Sequence, residues 1–161
     1  MAPDPLQTKL VEFIEQAVEL RFKFNLVDIS ADPITLHNSL VAVQETLSEL
    51  ESLLSKSMRA KASLDRRTFK ARSSHQEMWD RAISVTNNRP TLSEYATGKE
   101  KAAEANLATL ESARTLRREE EMLSYAVEAV EIIRLHYYAL DKIRQDIRKR
   151  LDFSQTDLFN S

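Results

Sequence analysis

The chain has 161 residues, one domain by size with a modest core, and its 42% hydrophobic content excludes wholesale disorder. One glycine and four prolines are too few for the closely spaced turns of a sheet protein, and the absence of cysteine excludes disulfides and thiolate metal sites. Net charge is −2, yet the charges are segregated along the chain: residues 1–55 carry three basic side chains against nine acidic ones, residues 56–72 seven basic against Asp65 alone, and residues 142–150 five basic against Asp146. Such asymmetry suits an anionic partner; the plainer reading is a solvated helix face.

Asp4-Pro5 has the form of an N-cap followed by proline in the first helical turn, and Leu6, Leu10, Val11, Ile14, Ala17 and Val18 recur at helical spacing. This predicts a first helix over about 4–21. Residues 22–29 break that spacing and read as a connector. Asp32-Pro33 repeats the start signal. A heptad then runs through Leu36, Leu40, Val43, Leu47, Leu50 and Leu54, and in register meets Ser57, Lys61, Leu64, Thr68, Ala71, His75, Met78, Ala82 and Val85. The seam turns polar where the basic residues gather. No breaker intervenes before Asn87-Asn88-Arg89-Pro90, so the second helix is expected over about 33–86.

Thr91-Leu92-Ser93-Glu94 fits a capping box and opens a third helix, expected over about 92–151 with a seam of Ala126, Val130, Ile133, Tyr137, Leu140, Arg144, Ile147 and Leu151. A short turn between the long helices makes them antiparallel. The expected fold is therefore all-α: a long, coiled-coil-like antiparallel hairpin with a short N-terminal helix packed on it, one helical domain over 1–152 and a flexible tail over 153–161. Folding about residue 90 makes paired numbers total roughly 180, which sets Lys61 near Glu119 and Thr68 near Ser112. Leu53, Met58, Phe69, Trp79, Ile132 and Leu135 fall off the main seam. Covering them by self-association predicts a homo-oligomer.

Little here supports catalysis. His37, His75 and His136 are far apart and form no metal-ligand pair. No serine sits in a glycine-flanked elbow, and Gly98-Lys99-Glu100 lacks the upstream glycine of a phosphate loop. Glu12, Glu15, Glu45 and Glu49 read as solvated faces rather than a dimetal site. The chain is expected to be no enzyme and to need no cofactor or metal. The opening Met1-Ala2-Pro3-Asp4-Pro5 lacks the parts of a signal peptide, and no apolar run approaches a membrane span, so a cytoplasmic protein is expected.

Two features point to partners. Arg59, Lys61, Arg66, Arg67, Lys70 and Arg72 on the second helix would meet Arg114, Arg117 and Arg118 on the third, giving a cationic surface of the kind that holds a phosphate backbone. Single-strand binding usually adds aromatics for base stacking, and Phe69 and Trp79 lie within or near the patch; Phe69 reads as a core residue. The second feature is Gln155-Thr156-Asp157-Leu158-Phe159, where helical periodicity has ended. It resembles the short peptide by which bacterial replication and repair proteins dock on the DNA sliding clamp. In such peptides Leu and Phe enter an apolar pocket and Gln is held by polar groups, which gives these roles to Leu158, Phe159 and Gln155, with Asp157 at the acidic position.

The layout resembles the UvsY-type recombination mediators of large phages. Lys70-Ala71-Arg72 is similar to that family's basic Lys-Ala-Arg stretch. Tyr95-Ala96-Thr97-Gly98-Lys99 resembles its Tyr-Tyr-Ser/Thr-Gly-Lys/Arg stretch, and Ile143-Arg144-Gln145-Asp146-Ile147 is similar to its closing helix. The first two stretches lie almost end to end in the family but more than twenty residues apart here, so at most one corresponds. The resemblance implies a small, helical, oligomeric protein of a bacterial or phage-infected cell that binds single-stranded DNA and helps load a recombinase. The alternative is a structural component or an adaptor or inhibitor gripping a partner protein, with the cations salted by neighbouring acids.

Overall fold

The computed structural model describes residues 4–24, 32–88 and 98–159, with side chains described through residue 153. These residues form four α-helices and no strand: α1 (Pro5–Phe22), α2 (Pro33–Asn87), α3 (Gly98–Ala108) and α4 (Leu110–Phe159). The chain is all-α. It divides into two compact units, Met1–Ala60 with Ala126–Ser161, and Lys61–Tyr125.

Both start signals act as written. Asp4 accepts from the backbone N–H of Leu6 at 2.9 Å, with proline in the first turn of α1. Asp32 accepts from the N–H groups of Ile34 at 2.9 Å and Thr35 at 3.0 Å, and from the Thr35 hydroxyl at 2.7 Å. These bonds occupy donors that the first helical turn would otherwise leave without partners. Above all the bond from Thr35 N–H holds the Asp32 carboxyl below its ordinary value.

In the first unit, α1 contributes Ala17 and Leu20 to a cluster with Leu36, Val43, Leu47, Leu50 and Leu53 of α2 and Ile133, Leu140 and Ile147 of α4. The expected seams are thus the core, with Leu40, Leu54, Tyr137 and Leu151 packed at its margin. Leu53 is the exception. It was expected to lie uncovered, yet it is buried in the cluster that α1 joins. Its hydrophobic surface is satisfied within one chain. Met58, Phe69 and Leu135 remain exposed, and Trp79 and Ile132 are half-buried.

In the second unit, Leu64 and Thr68 of α2 are buried, as are Ala105 of α3 and Met122 of α4. Near the end of α2 the seam departs from the heptad: Val85 is 57% exposed and Thr86 is buried. Thr68 and Thr86 are eighteen positions apart, five turns at 3.6 residues per turn, so this stretch follows the straight-helix period rather than 3.5. Thr86 donates its hydroxyl to the carbonyl of Ala82 at 2.8 Å, as a buried threonine in a helix must.

Two expected boundaries differ. The single third helix is interrupted at Thr109, between α3 and α4. The backbone bonds from Thr109 to Ala105 and from Ala113 to Thr109 persist at 3.0 and 2.9 Å, while the Thr109 hydroxyl also donates to Ala105 O at 2.8 Å. A second donor on one carbonyl perturbs the local helix without ending it. At the other end α4 continues to Phe159, past the stop expected near Asp152. No glycine or proline follows Asp152 to stop the helix. Residues 25–29 of the expected connector, the Asn-Asn-Arg-Pro corner from Arg89 and the capping box at 91–94 lie outside the described residues.

Because Leu50 is fully buried and Leu135 is 66% exposed, urea unfolding should separate them. Leu50→Ala is expected to cost about 2–5 kcal/mol. Leu135→Ala should stay within about 0.5 kcal/mol, and equal losses would contradict this core.

Candidate nucleic-acid interface

The Lys61–Tyr125 unit holds all but one of the predicted cations; Arg59 belongs to the first unit, where it is exposed. Within the second unit α2 and α4 run antiparallel, as the contacts between them show. Thr68 donates its hydroxyl to the backbone carbonyl of Glu119 at 3.2 Å, and His75 Nδ1 lies 2.9 Å from Ser112 Oγ. Both pairs of numbers total 187, not the 180 expected. Lys61 is therefore not the partner of Glu119, nor Thr68 of Ser112: the register is displaced by seven residues. A seven-residue displacement is one heptad, so the same side chains stay on the seam while every cross-helix pairing changes. The expected turn was centred on residue 90; α2 ends at Asn87 and the next described helix begins at Gly98.

The corrected register brings the basic stretch of α2 onto Glu119 and Glu120, the first two of three consecutive acids. Arg67 Nη2 meets Glu119 Oε1 at 2.7 Å, with the Glu119 side chain only 12% exposed. Arg72 Nη2 meets Glu120 Oε1 at 2.7 Å, and Arg117 Nε meets Glu121 Oε1 at 3.0 Å within α4; both pairs are well exposed. Lys61 reaches Asp65 one turn on at 3.0 Å. Sequence reasoning named the cations and missed these counter-ions. The signal was there: three glutamates directly follow Arg117-Arg118, but their partners depend on the register.

Arg66, Lys70 and Arg114 are exposed, and among the described residues no ion pair or hydrogen bond engages them. Arg118 is exposed as well and has a partner of its own. Between Arg66 and Lys70 stands Phe69, 74% exposed rather than in the core as its position suggested. Positions 62, 66, 69, 70 and 73 share one helix face, so Ala62, Arg66, Phe69, Lys70 and Ser73 form an outward stripe turned away from buried Leu64 and Thr68. Trp79, the other candidate aromatic, is half-buried.

The His75–Ser112 contact does not make a nucleophile. Ser112 Oγ donates its one proton to Thr109 O at 2.8 Å, so His75 Nδ1 must be the donor in their bond. A base with its proton pointed at the hydroxyl cannot activate it. Glu12, Glu15, Glu45 and Glu49 are exposed, and no group of described residues is arranged to hold a metal ion.

The first unit offers two further polar places. Tyr137 donates to Glu51 at 2.9 Å, and that bond is the main reason its hydroxyl titrates above the ordinary value. Burial, and then the charge of Arg21, depress the His136 imidazole. A groove of about 350 Å³ between α1 and α2 has Leu20 and Leu53 in its wall and Glu19, Lys23, Glu49 and Lys56 around them. Its charges balance, so it favours no single-sign ligand. No helix among the described residues is long and apolar enough to cross a membrane. Comparison with protein-family models, curated proteins and solved structures returns no match.

The unequal burial of the three glutamates predicts unequal costs. Glu119→Ala leaves Arg67 without that partner and should lower stability by about 1–2 kcal/mol in chemical denaturation, a buried charged hydrogen bond discounted for the partly exposed arginine. Glu120→Ala and Glu121→Ala break exposed pairs and should each stay within about 0.5 kcal/mol. Equal effects at all three positions would remove the distinction.

Proposed function

We propose that this chain is a non-enzymatic accessory protein of phage or bacterial DNA recombination or replication that binds single-stranded DNA along the outer face of α2. Its carrying observation is Phe69, exposed between Arg66 and Lys70. An uncovered phenylalanine forfeits hydrophobic stabilisation of about 25 cal/mol per Å² left in water, which a stacked base would recover. Cations on either side would hold the backbone that carries that base. On the same stripe Ser73 adds a hydroxyl donor, and neither it nor Ala62 adds negative charge. The UvsY-like stretch Lys70-Ala71-Arg72 ends on the same segment. Partners in this reading are single-stranded DNA, a recombinase and a sliding clamp, the last reached by Gln155, Asp157, Leu158 and Phe159. Clamp docking of this kind takes an extended peptide, so the final turns of α4 would unwind on binding.

Fluorescence anisotropy with a labelled oligo(dT) tests the DNA half. Binding should weaken with salt; Phe69→Ala should cost about 1–3 kcal/mol of affinity, and Arg66→Ala with Lys70→Ala should lower the salt slope by about 1.4. Absence of salt-dependent binding at low ionic strength would end this reading. For the tether, pulldown by an immobilised bacterial sliding clamp should be lost on Phe159→Ala; no capture of the unsubstituted protein would remove the clamp as a partner.

A second reading, a structural or adaptor protein acting through protein contacts alone, draws support from the pairing of Arg67, Arg72 and Arg117 with glutamates. In that reading exposed Phe69 and Leu135 serve self-association or a partner helix, and the purified protein carries no nucleic acid by its absorbance ratio.

A further inference from the structure

The exposed cations and the paired arginines lie on adjacent faces of the same unit. Arg72 is three positions from Phe69 on α2, one helical neighbour away, and Arg117 is three positions from Arg114 on α4. Both are held by carboxylates, Arg72 by Glu120 across the helix pair and Arg117 by Glu121 along α4. These two pairs differ in kind from Arg67–Glu119. Side-chain exposures are 67% and 44% for Arg72 and Glu120, and 83% and 68% for Arg117 and Glu121, against 38% and 12% for Arg67 and Glu119. Exposed pairs contribute little to folding and exchange readily, whereas Arg67 and Glu119 also sit beside the Thr68 bond that fixes the register.

We propose that Glu120 and Glu121 are internal competitors for the phosphate backbone, occupying Arg72 and Arg117 until a polyanion displaces them. This rests on the single-stranded DNA reading above. A guanidinium binds carboxylate and phosphate with the same planar fork, so a strand seated on Phe69 can take over either arginine without moving a helix. Displacement leaves a glutamate that must recruit a cation from solution, offsetting the counterion release the new phosphate contact yields. The carboxylates therefore hold down both affinity and salt sensitivity. Weak, short-lived engagement follows, which suits a protein that must leave the strand once another protein is loaded there. Glu119 takes no part, because its buried side chain stays with Arg67.

The test is anisotropy with fluorescein-labelled oligo(dT) between 50 and 200 mM salt, on the full chain and on two charge-matched double variants. Glu120→Gln with Glu121→Gln should bind more tightly at low salt and steepen the log–log salt slope by about 1.4, about 0.7 for each arginine released. Over that fourfold salt range its affinity should fall by about sevenfold more than that of the unsubstituted protein. Either single variant should show about half the change in slope, and thermal melts of all of them should coincide. Asp80→Asn with Glu111→Gln removes the same charge from exposed acids of the unit that hold no arginine, and should leave the slope unchanged. If the unsubstituted protein binds and the Glu120, Glu121 variant has its slope or that of the control, the competitor role is overturned while the DNA reading stands. If none of the proteins binds, the DNA reading falls and this inference falls with it.

Discussion

Register between α2 and α4 is the constraint on which the surface chemistry of this protein depends. Two antiparallel helices with a seven-residue apolar repeat can slide by one heptad and bury the same side chains. Hydrophobic packing alone therefore leaves several registers close in free energy, and polar groups select among them. In the Lys61–Tyr125 unit the selection is made by Arg67 on Glu119, the Thr68 hydroxyl on the Glu119 carbonyl, and His75 against Ser112. The alternative with paired numbers near 180 would offer Glu119 a lysine, a flexible point charge, in place of the planar fork of an arginine. With its carboxylate largely withdrawn from water, Glu119 gains most from the better-directed partner.

That choice then decides which cations are available. Once Glu119 stands at Arg67, the next glutamate falls to Arg72, and Glu121 turns back along α4 to Arg117. A run of positive charge in the sequence thus becomes two populations: arginines matched to carboxylates, and Arg66, Lys70 and Arg114 on faces that no acid reaches among the described residues. Phe69 shares the stripe of Arg66 and Lys70 in either register, because a slip of one heptad leaves the packed face of α2 unchanged. It lies one position beyond buried Thr68, about 100° further around the helix and off the packed face.

The buried residues of the two units show how the same long helices serve different ends. Around Leu50 and Ile133 a third helix, α1, supplies Ala17 and Leu20, so even Leu53, off the main seam, finds cover. Around Leu64 and Thr68 the seam is mixed, and threonines at 68, 86 and 109 are buried with their hydroxyls bonded to backbone carbonyls. Apolar burial carries the first unit. The second relies more on satisfied polar contacts, which specify position more sharply than they stabilise.

Local spacing was enough to foresee helices and no strands, the caps at Asp4 and Asp32, the stop of α2 at Asn87, and the seams through Leu36–Leu50 and Ala126–Ile147. Each of those features is decided within a few residues, by a cap, a breaker or a 3.6-residue period. The partners of Glu119 and Glu120 lie 52 and 48 positions away, and a heptad repeat is blind to slips of seven, so no reading along the chain could assign them. Exposure of Phe69 and burial of Leu53 were likewise settled by what packs alongside α2, not by residues next to them in sequence. Helix and seam belong to the sequence; register, and with it the division of the cations into matched and unmatched, belongs to the tertiary structure, because only there do side chains far apart along the chain compete for the same carboxylate.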